Sequence, residues 1–522
     1  MKKVRSIGII GGGTAGYLAA LTLKKAFPNY IINMVVSADI PPIGVGESTT
    51  PKLLKLLHHD LDFDIAEFMQ SVKPTIKLGG RFFWGSNKQS YYNNAFGYIN
   101  PLAGYHLEDD INVNSFNSFL MDQNKVFILK NNKNEEYLTI NPPHSFTYHL
   151  DNHTFIKYLQ SKSKERGILT HIATVKDISL AENGELESVK TNCGKTFDFD
   201  FYIDCSGFKS LLLDQTLHSP YQSFKNNLLT DSAITAEVNH KGIIKPYTTS
   251  TNMLNGWQWT IPMHTHDHIG YVYSSSHCSE ENAKKELESK YQNIKLLNTL
   301  KFKSGRHKEA IKNNVAAVGN SYGFIEALHS TSLHMTISNI YATIFHLKLL
   351  EQGDDRSDSI NDELGKIWDS LRDFISIHFK YNQRVKSNFW KDCNNYIDHS
   401  NFEYLVEAFQ SKGILARNKV SDKTLREMNR HMIFGLFSFD FMMEVLGIQG
   451  FKNSNLNEAE LQEARKTIQK WKLLSENALD HKSALNLILD KEIELEISFK
   501  KESFLELDFD YESFKSIFKR IR

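Results

Sequence analysis

The hexapeptide Gly11-Gly12-Gly13-Thr14-Ala15-Gly16 constrains the fold of this chain more than any other feature. It follows the apolar run Val4 to Ile10 and opens a helical pattern from Thr14 to Phe27, where Leu18, Leu21, Leu23 and Phe27 are apolar and Lys24 and Lys25 lie near the end. Pro28-Asn29 stops that helix, and Ile31 to Val36 supplies a second strand, which predicts a βαβ unit. A G-x-G-x-x-G turn in this setting binds a dinucleotide. Gly11 permits the tight turn, Gly13 lets a pyrophosphate approach the backbone, and Gly16 lets helix and strand pack closely. Thr14 and Ala15 begin the helix whose N–H groups receive the phosphate. The acidic residue expected after the second strand should fall near Ser37, which is no carboxylate; Asp39, two residues on, is the substitute. NAD and FAD both stay open on these residues alone.

The 522 residues suggest two to four domains at about 150 residues each. With 41% hydrophobic, 23% charged and 12% aromatic residues, disordered, collagenous and coiled-coil chains are excluded. Lys+Arg 61 balances Asp+Glu 61, so no global field draws the protein to nucleic acid or to an anionic membrane, and neither partner is expected. Cys193, Cys205, Cys278 and Cys393 form no CxxC, which fits a reducing compartment without disulfides or a thiolate zinc site. Gly11 to Gly13 interrupt the opening apolar run before it could serve as a signal peptide, and no apolar stretch reaches membrane-spanning length, so a cytoplasmic protein is expected.

Pro51 to Met69 reads as one helix, and Lys73 to Trp84 as a turn leading into a strand. Thr230 to Glu237, Gly256 to Ile261 and Gly270 to Ser274 alternate like antiparallel strands. Helical spacing then dominates through Ser338 to Gln352, Asp362 to Lys380, Phe402 to Phe409, Thr424 to Leu446 and Glu458 to Glu476. The expected organisation is a catalytic domain over 1–345 and a helical, substrate-covering domain over 346–522. His264, His266 and His268 fall on the turn between two expected strands and read as a solvated hairpin, with no metal site.

Several segments resemble the flavin-dependent halogenases, the group that includes tryptophan halogenases. Gly44-Val45-Gly46-Glu47-Ser48-Thr49-Thr50-Pro51 looks like their flavin-contacting strap, and Ile76-Lys77-Leu78-Gly79-Gly80-Arg81-Phe82-Phe83-Trp84 is similar to the segment bearing their active-site lysine. Tyr148-His149-Leu150-Asp151 and Asp204-Cys205-Ser206-Gly207-Phe208 match interior landmarks. Gly256-Trp257-Gln258-Trp259-Thr260-Ile261-Pro262 matches the specific W-x-W-x-I-P signature, and Gly319 to Ser332 and Leu371 to Cys393 extend the likeness over about residues 4 to 395. From about 400 onward no resemblance is found.

The resemblance implies an α/β fold of the two-domain flavin monooxygenase type with mixed sheets and a mainly helical C-terminal part. It implies FAD, bound as FADH2 from a separate flavin reductase, with O2 and halide (chloride or bromide) as co-substrates. Halide is oxidised to hypohalous acid, which reaches a lysine beside an aromatic, indole- or phenol-like substrate, whether a small molecule or one held on a peptide or carrier. Lys77 takes the lysine's place. A lysine is ordinarily exposed, but Lys77 lies in a largely apolar run, where burial depresses its pKa and leaves a hydrogen-bond donor or a neutral amine. Glu47 is the strap carboxylate that shapes the site. Val45, Gly46, Ser48, Asn320 and Leu333 contact flavin beside Gly11 to Gly16 and Ser37. Trp257 and Trp259, two apart on a strand and on one face, wall the substrate off from the flavin. Ser330 meets substrate, and the backbone N–H groups of Thr331 and Ser332 hold halide.

The sequence departs from the family at His329, where the pattern has glutamate; at Ala327, usually proline; and at Ser332, usually glycine. A neutral His329 can accept a proton from the ring or a hydrogen bond from Lys77. The rival readings are a halide-independent flavin monooxygenase or oxidase on the same scaffold, and a flavin-binding module without catalysis. The tail Asp490 to Arg522 is expected to pack on its own domain, with a homodimer or partner contact as the alternative.

Overall fold

The computed structural model describes the chain except residues 1–3, 40–45, 87–90, 98–110, 131–136, 140–145, 241, 451–456, 493–494, 496–504 and 506–522. Ser6–Ile10 lies between Ile31–Val36 and Phe201–Asp204, parallel to both, and Leu169–Ile172 and Val315–Ala317 extend the parallel run on either side. Ile7 and Ile9 have no exposed surface and Ile10 almost none, as a strand covered on both faces requires. Thr14–Ala26 is the crossover helix between the first two strands.

A second sheet runs in the order Lys295–Lys301, Ser232–Asn239, His266–Tyr273, Gly256–Pro262, Thr248–Met253, Gly79–Phe83 and Tyr92–Ala95. Only the Thr248–Met253 to Gly79–Phe83 pairing is parallel. A small third sheet places Thr147–Leu150 between Glu47–Ser48 and Thr75–Lys77, which draws the strap and the Lys77 strand to one place.

Three sequence expectations are corrected. The single helix expected over Pro51 to Met69 is Pro51–Lys55, a π turn over Leu56–Asp60, and a separate helix Ile65–Val72. Asp64 accepts the Glu67 N–H at 2.7 Å and so starts that second helix afresh. The Thr424 to Leu446 helix divides into Lys423–Asn429 and Gly435–Val445. Asn429 Oδ1 takes the Leu436 N–H at 3.1 Å, and Gly435 has φ of 67°, outside helical space. His266 and His268 stand on the strand His266–Tyr273; the turn lies before them, closed by Met263 N–H to His266 O at 2.9 Å.

The helix Ser332–Glu351 is buried on nearly every side and packs against both Thr14–Ala26 and Ser357–Lys380. Residue 345 lies inside it. Further along, Ala478–Asp480 returns to pair with Lys125–Lys130. The fully buried His481 then fastens the Lys77 strand: its Nε2 accepts the Ile76 N–H at 3.0 Å, which leaves Nδ1–H to donate to Ile244 O at 3.1 Å. Of the tail, residues 490–492, 495 and 505 are described; Leu495 and Leu505 are buried, and Lys348 Nζ donates to Leu505 O at 3.1 Å. Among the described residues no helix is long and apolar enough to cross a membrane.

Candidate active site

The glycine turn is built as a dinucleotide cradle. Gly11 has φ of 123°, and a Cβ there would lie 2.2 Å from the Cys205 carbonyl oxygen. A Cβ on Gly16 would lie 2.2 Å from Gly11 O, whereas at Gly13 nothing lies within 4 Å. Gly13 is also the N-cap of the helix and offers it no side-chain cap, so the first-turn N–H groups keep their capacity for a phosphate. Thr14 contributes through its backbone, because its hydroxyl donates to Asn152 Oδ1 at 2.8 Å. At the end of the second strand Thr174 Oγ1 donates to Asp39 Oδ2 at 2.9 Å and takes the Ser37 hydroxyl at 2.8 Å. Asp39 thus stands two residues beyond the position expected for a ribose-binding acid, with its carboxylate held by Thr174. These residues fit a flavin dinucleotide.

A Cβ on Gly319 would lie 3.1 Å from Ala15 Cβ, so the turn carrying Asn320 abuts the cradle. Asn320 lines a cavity with Thr331, Ser332, Phe324 and Met335. Ser332 opens the long helix with Thr331 as its N-cap, and first-turn N–H groups lack intrahelical acceptors. Leu333 is buried in the same turn. In the strap, Val45 lies outside the described residues. Gly46 has φ of 63°, and burial pushes the Glu47 carboxyl up to about 7.

A second cavity is lined by Lys77, Phe82, Asn94, His329, Ser330 and Phe434 with neighbours. The Lys77 side chain is 2% exposed; Nζ donates to Thr49 O at 2.7 Å and lies 5.2 Å from the Phe96 ring centre. Among the described residues no carboxylate pairs with it. Burial therefore holds the Lys77 pKa well below its ordinary value. His329 stacks on Phe82 with centroids 4.5 Å apart and meets Phe374 and Phe434 at 4.9 and 5.4 Å. Burial first, then His378 and Lys77, press the His329 pKa well below the ordinary histidine value, so the ring is neutral.

Ser330 belongs to the second cavity and Thr331 to the first, so this one peptide divides them. Ser330 holds φ of 60°, a left-handed conformation that a serine adopts under constraint. The constraint is a directed hydrogen-bond chain. Thr75 Oγ1 donates to Pro262 O at 2.7 Å, so it must accept Nδ1–H of His149 at 3.0 Å. His149 Nε2 then accepts from Thr248 at 2.9 Å, Thr248 accepts from Ser48 at 2.5 Å, and Ser48 accepts from Ser330 at 2.8 Å. Strap, Lys77 strand and dividing peptide are joined through Ser48.

Ser250 and Trp259 are directly paired, as are Asn252 and Trp257, and Ser250 lines the second cavity. Both indoles therefore share the cavity face of the sheet. Trp257 Nε1 donates to Glu326 Oε2 at 2.6 Å, and Thr230 donates to Oε1 at 2.7 Å. Sequence reasoning assigned no role to Glu326, His378 or Asn94. Glu326 had one signal, a carboxylate in an otherwise apolar-to-small segment; the other two had none.

The tryptophan halogenase family model matches residues 6–443. Tryptophan 7-halogenase RebH of Lentzea aerocolonigenes is 29% identical over 74% of this chain and 78% of its own length. KtzQ of Kutzneria sp. (strain 744), also a tryptophan 7-halogenase, is 28% identical over 78% and 82%. Among solved structures, MibH, a lathipeptide tryptophan 5-halogenase, superposes with a TM-score of 0.85 at 33% identity over 94% of each chain. With a dinucleotide cradle on one side of Ser330-Thr331, a buried lysine on the other and the family match over residues 6–443, the chain belongs to the tryptophan halogenase family of flavin-dependent halogenases.

Proposed function

We propose that the protein is an FADH2-dependent halogenase that uses O2 and chloride or bromide to halogenate the indole of a tryptophan, with reduced FAD supplied by a separate, diffusing reductase. The observation that carries this reading is Lys77 Nζ, buried in a chamber of aromatic rings with no carboxylate partner among the described residues. Bound reduced FAD supplies the electrons with which O2 yields the oxidant for halide. Gly13 and the first turn of Thr14–Ala26 hold the pyrophosphate, and the Thr331 and Ser332 N–H groups hold halide. Lys77 binds hypohalous acid by N–H donation and aims it at one ring carbon. That carbon gains a bond to halogen and loses its proton, which leaves with the hydroxide as water. Phe82, Phe434 and the neutral His329 ring hold the indole flat and exclude water. The resemblance to a lathipeptide halogenase, at 33% identity, supports an indole presented on a peptide.

The test is mass spectrometry of reactions containing FADH2 from any reductase, O2, and a panel of tryptophan and tryptophan-bearing peptides, run with and without bromide. Haloindole that disappears when halide is omitted is the expected result. Full halogenating activity in Lys77→Ala would refute the assignment.

A further inference from the structure

We propose that Glu237, His266 and His268 form a binding site for a divalent transition metal of the zinc class, at the base of the strap. The antiparallel register sets Glu237 directly opposite His268, and His266 lies two residues away on the same face. One ligand atom from each of the three lies within 4.8 Å of the others. The two Nε2 atoms are 3.4 Å apart. Nitrogens held at 2.0–2.1 Å by a tetrahedral ion stand about 3.3 Å from each other, so the rings already have the spacing of two corners of a zinc site. As a direct N–H···N hydrogen bond the same separation is long and weak.

The surroundings support a cation. Thr265 Oγ1 lies 3.1 Å from His266 Nδ1, where it can take the Nδ1–H and leave Nε2 free to ligate. Asp151 Oδ2 lies 3.9 Å from His268 Nε2, while its other oxygen caps a helix at Thr154 N–H. That adds negative charge on a further side. The present occupant of Glu237 is the exposed Lys295, at 3.1 Å, and an ion pair of that kind is worth little against a coordinate bond. Two imidazoles and a carboxylate match zinc, cobalt and nickel rather than calcium or magnesium. The His268 ring also packs on the strap: a Cβ on Gly46 would lie 2.7 Å from its Cδ2. A bound ion would fix that ring and so clamp the strap's base.

The experiment is calorimetric titration of the full chain with Zn2+ alone, with Co2+ as a spectroscopic probe of geometry. One equivalent bound per chain and tetrahedral Co2+ absorption are expected. His266→Asn and Glu237→Gln should each weaken binding by more than the 10–100-fold typical of losing a supporting partner. Lys295→Ala, which removes the competitor, should tighten it. His266 and Glu237 are half-buried, Lys295 is exposed and none is a core side chain, so the variants' thermal midpoints without metal should equal that of the parent. Absence of stoichiometric binding, or equal binding by His266→Asn and the parent, overturns the proposal.

Discussion

His329 Nε2 lies 2.9 Å from His378 Nε2, and the proton between them has one place to sit. His378 Nδ1 is 2.9 Å from the Phe374 carbonyl oxygen, which can only accept, so His378 carries its proton there. Its Nε2 is then a lone pair, and His329 must donate Nε2–H to it. That leaves His329 Nδ1 to accept from Asn94 Nδ2 at 3.2 Å. Both rings are neutral, with the His378 pKa lowered to about 4 by burial. The His329 imidazole is thus held in one tautomer, with its one lone pair on the side of Asn94.

Replacing His378 by Phe removes the acceptor and orphans a buried N–H. The expected cost is about 1–3 kcal/mol of folding stability, the desolvation penalty of one unsatisfied group. Imidazole nitrogen NMR shifts should report a single Nε2–H tautomer at His329 in the parent and a mixture in the variant. An unchanged tautomer would show that His378 does not set it.

Lys77→Met separates stability from activity. Halogenation should fall by at least about 10²-fold, the usual yield of a positioned proton donor. Stability at pH 7 should nonetheless rise. Burying an ammonium costs several kcal/mol, whereas the Thr49 carbonyl left behind costs about 1–3. The sign of the pH dependence follows from the lowered Lys77 pKa. Between the lowered folded-state value and the unfolded value of about 10.4 the unfolded chain holds the extra proton, so the parent gains stability as pH rises through that window and the variant does not. Denaturation at pH 7 and 10 should show the variant's advantage shrinking.

Glu326→Gln makes the opposite test for an acid. Burial raises the Glu326 pKa to about 7, against an ordinary 4.5. Between those values the native state binds the proton and the unfolded state does not, so the parent loses stability as pH rises through the window, and loses no more above it. At about 1.36 kcal/mol per pKa unit the loss is about 3 kcal/mol. Chemical denaturation at pH 4.5 and 8 should find the variant improved relative to the parent by that order at pH 8. Equal pH slopes would place Glu326 in a more polar setting.

How much of this could be read in the sequence depends on how local each signal is. Gly11, Gly13 and Gly16 act within one turn, and Lys77 and Trp257 sit in contiguous signatures, so cradle and chamber were legible. His378 lies inside the quoted Leu371 to Cys393 segment, yet its partner is 49 residues away, and only the packing of Ser357–Lys380 brings the rings together. His481 reaches back 405 residues to Ile76. The region beyond 400 carries amphipathic helices with no chemical signature, although the family match runs to 443. Helix breaks at Asp64 and Gly435 escaped periodicity because a cap or a single left-handed residue leaves the apolar spacing intact.

His329→Glu asks whether the histidine is a specialisation. A carboxylate at this position would bring an acceptor against the lone pair of His378 Nε2. At about 4 Å and an effective dielectric near 20, unit charges interact by about 4 kcal/mol, which favours protonation of His378 from its lowered value. The chamber would then depend on a proton that the parent does not need. Relative to the parent at the same pH, halogenation by the variant should fall at least tenfold at pH 8 and recover as pH is lowered toward 6. Adding His378→Phe should remove the pH dependence, because no lone pair is left to oppose the carboxylate. A single variant faster than the parent at every pH would mark the imidazole as a handicap and not an adaptation of this chamber.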